Sequence, residues 1–190
     1  MTKPIILASS SPRRIEILRR NNIEPEIIHP IVDEILPEDI SMEQAVMYLA
    51  LKKALAVEKK CGDGIIIAAD TIVYKDRIIG KPRDQEDAFS ILYALNNAEH
   101  YVVTGVAIVE RGTNQRRVFY DVSKVFFKAY TPDDIHKYIA SGEFWDKAGG
   151  YAIQGEGRQF VDYIEGDYDN VVGFPWTMIK RELSEFGLRV

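Results

Sequence analysis

The stretch that most restricts what this chain can become is Ile65-Ile66-Ile67-Ala68-Ala69, an unbroken apolar run between Gly64 and Asp70. A strand with one wet face alternates apolar with polar residues. This one does not, so it reads as a central strand covered on both faces, extended by Ile72 to Tyr74. In open α/β sheets ligands collect beyond the carboxyl ends of such strands. Asp70 stands at that end. It can ligate Mg²⁺, orient or deprotonate a water, or cap a turn through neighbouring amides. The residues alone leave these roles open.

A second apolar stretch, Ile5 to Ala8, reads as a short buried strand and opens onto Ser9-Ser10-Ser11-Pro12-Arg13-Arg14. Ile15, Ile17 and Leu18 continue it as a helix, with Ser11 as the N-cap and Pro12 at the first helical position. Arg13 and Arg14 then fall in the first turn, where the helix dipole favours acids. Their sign is wrong for helix stability and right for an anion. With hydroxyls and unsatisfied backbone N–H groups beside them, they point to a phosphate site rather than a solvated face.

The remaining elements follow in order. A strand is expected over 23–28, then an acidic loop to Ile40. Ser41 with Gln44 is a capping-box signature. The helix after it, running to about Lys60, carries Ala45, Leu49, Ala50, Ala54 and Val57 as its apolar stripe, with Lys53 beside it. Lys75-Asp76 is a turn and Asp84 caps a helix from Gln85 to about Leu95. Strands are expected over 101–110 and 117–130, joined by a tip at Gly112-Thr113-Asn114. Thr131-Pro132 starts a helix that Gly142 ends. A glycine-rich loop spans 146–157, a strand 160–164, and a last helix begins at Pro175. The early alternation of strands and helices and the antiparallel ribbon in the middle indicate an α/β fold with a mixed sheet.

The chain has 190 residues, enough for one large domain or two small lobes sharing a core. Its net charge of −5 argues against nucleic acid or an anionic membrane as a partner. Any phosphate-binding charge must therefore be local. Cys61 is the single cysteine, which excludes an internal disulfide and a multi-cysteine zinc site. No apolar run approaches a membrane span, and a cytoplasmic location is the expectation. His29, His100 and His136 lack metal-ligand spacing and read as structural or exposed. There is no GxxxxGK[ST] phosphate loop. Asp33 and Glu34 can add a second carboxylate. Lys81, held extended before Pro82, can neutralise phosphate charge.

Taken together, Leu7-Ala8-Ser9-Ser10-Ser11-Pro12-Arg13-Arg14, Ala69-Asp70-Thr71, Gly80-Lys81-Pro82-Arg83-Asp84, the block from Asp146 to Gly155, and Asn170-Val171-Val172-Gly173 resemble the Maf family. Its members are nucleoside triphosphate pyrophosphatases, also called septum formation inhibitor proteins. The resemblance runs nearly end to end in the family's motif order. It implies an inosine-triphosphatase-like architecture: one domain over 1–190, with two lobes flanking a cleft on a long mixed sheet. It implies hydrolysis of a nucleoside triphosphate to the monophosphate and pyrophosphate with a divalent metal, Mg²⁺ or Mn²⁺.

By the family pattern Ser9, Arg13, Arg14, Glu34, Lys53, Asp70, Lys81 and Gln154 line the cleft. Asp70 corresponds to the proton acceptor, and Asp70 with Glu34 would hold the metal. Arg14, Thr71 and Gln154 match the branch acting on dTTP and UTP. The 7-methyl-GTP branch has Asp-Gln in place of Asp70-Thr71, and Glu in place of Gln154. A Gln amide both donates and accepts, as a uracil or thymine edge requires. A homodimer is compatible with the resemblance. Two other readings stand beside it. One is a nucleotide-sensing regulator of septum formation with little turnover. The other is a haloacid-type phosphatase, disfavoured because Ile72 occupies the place of its second acid.

Overall fold

The computed structural model describes residues 3–188 and 190. Among them, seven strands form one mixed sheet, in the order β2-β1-β3-β5-β6-β7, with β4 paired to β3. The expected α/β class with a mixed sheet is therefore what forms. The chain divides into two compact units. The first takes the described residues up to Asp70, then Thr104–Asp121 and the chain from Gly173. The second takes Thr71–Val103 and Val122–Val172.

In the first unit, β1 (Ile5–Ala8) pairs in parallel with both β2 (Glu26–Ile27) and β3 (Ile65–Lys75). Its register sets Ile5 against Ile65 and Ala8 against Ala68. Ser9 therefore leaves the sheet where β1 ends, whereas β3 runs on past Ala69 and Asp70 to Lys75, so Asp70 lies inside the strand and not at its end. All residues of β1, and β3 from Ile65 to Asp70, are buried, as the lack of alternation requires.

α1 (Pro12–Arg20) starts at Ser11 with Pro12 in its first turn, as expected, although the Ser11 side chain makes no cap bond. Asn22 closes the helix in a left-handed conformation, and the Ile23 amide returns to the Leu18 carbonyl at 3.0 Å. That closure uses up the start of the segment expected to be a strand over 23–28. Pro25 also lacks a donor, so only Glu26–Ile27 join the sheet.

α2 (Met42–Glu58) carries the complete capping box, with the Gln44 amide on the Ser41 hydroxyl and the Gln44 side chain on the Ser41 amide. Such a cap is worth about 1 kcal/mol. The stripe anticipated for this helix is buried, together with Val46. Ala50, Ala54 and Val57 pack with Ile6, Ala8, Ile66, Ala68, Ala107, Val109 and Cys61 in one core cluster. Burial raises the Cys61 thiol pKa, which fits an inert packing role. The helix backbone lies directly on β5 (Glu99–Glu110) at Gly105, where an added Cβ would stand 2.3 Å from the carbonyl carbon of Val46.

In the second unit, β4 (Arg77–Ile79) folds back on the end of β3 through the turn at Asp76, which has φ of 58°. Asp84 caps α3 (Gln85–Leu95) by accepting from the Asp87 amide. β6 (Arg116–Phe127) pairs antiparallel with β7 (Val161–Glu165). α4 (Pro132–Ala140) opens with a Thr131–Asp134 capping box. The core here is aromatic. Phe127, Tyr130, Tyr138, Tyr151 and Phe160 meet edge to face or tilted, with His100 among them. The second unit ends with α5 (Tyr168–Val172); Gly173, at φ of 105°, and α6 (Trp176–Ser184) return to the first unit.

Candidate active site

The first unit gathers six of the residues marked in the sequence: Ser9, Arg13, Arg14, Glu34, Lys53 and Asp70. The parallel register explains the core of this group. Arg14 leaves the first turn of α1 and reaches past the end of β1 to β3. Its Nη1 donates to the Ala69 carbonyl at 2.7 Å and to Ser9 Oγ at 3.2 Å, and its Nε donates to the Gly173 carbonyl at 2.9 Å. Ser9 Oγ also accepts the Ser11 amide at 3.1 Å, which ties the loop to the start of the helix.

Sequence reasoning did not foresee that Arg14 would be anchored this firmly. Two backbone carbonyls, which no residue pattern announces, hold the guanidinium. Arg14 thus brings charge and order to the site from a fixed position. Burial lowers its pKa to about 10, with Arg13 beside it acting in the same sense; the charges of Asp70 and Glu34 act against that fall. It remains cationic at neutral pH.

Asp70 is buried at the point where β3 passes from one unit to the next. Lys53 comes from α2, two turns after Val46 and on the same helix face. Its Nζ lies 2.5 Å from Asp70 Oδ1 and 2.8 Å from Glu34 Oε1. The side chains of Lys53 and Asp70 are only 12% and 11% exposed, whereas Glu34 is half exposed in its loop. Lys53 therefore faces the site and is no surface lysine. Asp33 turns to a different partner, Lys52, at 2.5 Å.

Three cations, Arg13, Arg14 and Lys53, thus stand against two carboxylates, Glu34 and Asp70. The surplus is positive in a protein whose net charge is −5. Such a local surplus of positive charge attracts an anion. The two carboxylates converge on a single ammonium atom. Oxygen donors grouped this way suit a hard divalent cation that takes its remaining ligands from phosphate and water. The described residues hold no group of three or more His, Cys, Asp and Glu side chains fit to bind a metal, so Asp70 and Glu34 are a pair.

The other three marked residues belong to the second unit. Thr71 follows Asp70 on β3. Lys81 bonds Asp146 at 3.0 Å, and that ammonium holds the Asp146 carboxyl below the usual carboxylate range. Gln154 is exposed, between buried Ile153 and the turn beginning at Gly155. Of the histidines, His100 is buried in the aromatic core and His136 stacks on Phe89, in keeping with structural roles.

The fold and this site define a mixed α/β protein in which basic and acidic side chains meet beyond the end of β1 and beside the middle of β3. The chain belongs to the Maf-like protein family, whose model matches residues 4–186. A dTTP/UTP pyrophosphatase of Geobacillus sp. (strain WCH70) is 46% identical over 97% of this chain and 99% of its own. Proteins of the same description from Desulforamulus reducens and Bacillus cereus (strain ATCC 10987 / NRS 248) are each 44% identical over 99% of this chain, and over 99% and 92% of their own lengths.

Proposed function

We propose that this protein hydrolyses dTTP and UTP to the monophosphate and pyrophosphate. The observation that carries the reading is the grouping of Arg14 and Lys53 about the buried Asp70, with Arg13 beside Arg14. Near full-length similarity to proteins described as dTTP/UTP pyrophosphatases supports it.

In this reading Arg13, Arg14 and Lys53 bind the triphosphate and absorb the charge that grows on its oxygens as the α-phosphorus is attacked. Lys81 adds a further phosphate contact by exchanging Asp146 for substrate. Asp70 orients the water and takes its proton; the bond between the α-phosphorus and the bridging oxygen breaks, and pyrophosphate leaves. Asp70 and Glu34 would hold Mg²⁺ or Mn²⁺, which supplies charge neutralisation and a more acidic bound water. Gln154 and Thr71 recognise the pyrimidine edge, and the Gln154 amide offers the donor and acceptor that uracil and thymine need.

The inosine-triphosphatase-like architecture implied by the resemblance, two lobes flanking a cleft, belongs to the same reading, as does a homodimer. No helix among the described residues is long and apolar enough to cross a membrane.

The test is a nucleotide panel, dTTP, UTP, CTP, GTP and 7-methyl-GTP with added Mg²⁺ or Mn²⁺, scored for monophosphate and pyrophosphate. Pyrophosphate from dTTP and UTP, well above the others, is expected. Binding without turnover would favour a regulatory protein, and inorganic phosphate as sole product would revive the phosphatase reading.

A further inference from the structure

Gln154 immediately precedes a turn whose shape is set by one distant carboxylate. Glu143 Oε2 accepts the Glu156 amide at 2.7 Å, and Oε1 accepts the Gly157 amide at 3.0 Å. The Tyr138 hydroxyl donates to the same Oε1 at 3.4 Å. These amides open the 3₁₀ turn Glu156–Phe160, whose N-cap, Gly155, has no side chain to satisfy them. Glu143 supplies the cap from thirteen residues upstream. A Cβ on Gly155 would lie 2.3 Å from Glu143 Oε2, so glycine is what admits the carboxylate. Glu143 is itself held, its amide on Ser141 Oγ at 3.3 Å and its carbonyl accepting from Lys147 Nζ.

The other flank of Gln154 is pinned as well. The Tyr151 hydroxyl meets His100 Nε2 at 2.7 Å, and Gly149, at φ of 71°, lies against Val73. A side chain with little restraint of its own is thus carried on a backbone restrained on both sides. Two amides on one ionised carboxylate are charge-assisted bonds, stronger than neutral ones.

We infer that Glu143 is a positioning residue for nucleobase selection: its carboxylate locks the 155–157 backbone so that the Gln154 amide is presented in one orientation. This rests on the reading that Gln154 recognises the pyrimidine edge. Orientation matters because a rotated amide exchanges donor for acceptor, and a cytosine edge differs from a uracil edge in that exchange. The hydrogen bonds of Glu143 fall within the second unit, so its loss should fall on discrimination and KM more than on kcat.

The experiment measures kcat and KM on UTP and CTP, with thermal stability, for Glu143→Ala, Glu143→Gln, Gly155→Ala, Gln154→Ala and the Glu143→Ala/Gln154→Ala double variant. Glu143→Ala should lower the UTP-to-CTP ratio of kcat/KM about tenfold, mainly through KM, as expected when a polar recognition group is misplaced. Glu143→Gln, which keeps one acceptor, should restore part of the ratio. Gly155→Ala should reproduce the loss and serves if Glu143→Ala does not fold. The double variant should be no less selective than Gln154→Ala. An unchanged ratio in Gln154→Ala would overturn the reading of Gln154, and this inference with it. A ratio that falls in Gln154→Ala but holds in Glu143→Ala and Gly155→Ala would overturn the positioning role alone.

Discussion

Lys53 Nζ stands 2.5 Å from Asp70 Oδ1, an ion pair joining the middle of a helix to the middle of a long strand. Both side chains are nearly withdrawn from water, and Glu34 closes on the same ammonium at 2.8 Å. Removing Lys53 would leave two carboxylates facing an incoming polyphosphate. Lys53→Ala is expected to lower kcat/KM on UTP by about a hundredfold or more, the scale of losing a charge stabiliser in a sheltered site. Steady-state kinetics check this, and activity within a few-fold of the parent would remove Lys53 from the phosphate site.

Asp70→Asn keeps the shape of the side chain and deletes its basicity. Turnover should drop by about a hundredfold or more, in line with loss of a general base. Circular dichroism and the urea midpoint should show the fold retained. Near-normal turnover would take Asp70 out of the chemistry.

Gly105 is where α2 touches the sheet. A methyl there meets the helix backbone at Val46, a contact no rotamer change relieves. Gly105→Ala should cost about 1–3 kcal/mol, the usual range for overpacking. It should also reduce activity, because Lys53 rides on the same helix two turns on. The comparison is urea unfolding against kcat/KM. A variant that is destabilised but fully active would show that Lys53 tolerates movement of α2.

His100 is buried beside Tyr151 and Phe127, and burial, helped by the charge of Lys75, lowers its pKa from 6.5 to about 3. Above pH 6.5 the ring is neutral whether the chain is folded or not, and its contribution to stability is complete. As pH falls below 6.5 the unfolded chain takes up a proton that the folded chain refuses. Stability then declines by up to about 1.4 kcal/mol per pH unit until the folded ring also titrates. Urea midpoints between pH 7 and pH 4 should fall less steeply for His100→Gln than for the parent, and parallel slopes would contradict the buried neutral ring.

Much of this was legible in the residues. The apolar run before Asp70 gave a strand buried on both faces, and Ser41, Asp84 and Thr131 marked helix starts where they occur. The parallel register was not legible, because a sequence does not say which strand lies beside β3. Hence the nearness of Ser9 to Ala69, and the anchoring of Arg14 on backbone carbonyls, appear only in three dimensions. Lys53 was ambiguous for a related reason: a lysine beside an apolar stripe can bend to solvent or to a carboxylate, and only the placement of Asp70 decides. The Glu143 cap was hidden because its partners are backbone amides, which carry no residue identity. A glycine directly after Gln154 was the one hint.

The central claim is that water attacks the α-phosphorus of a nucleoside triphosphate held by Arg13, Arg14 and Lys53. Hydrolysis of UTP in ¹⁸O-labelled water, followed by mass spectrometry of the products, tests it most directly. The account predicts the label in the monophosphate and none in pyrophosphate. Label in pyrophosphate, or release of labelled inorganic phosphate, would contradict it.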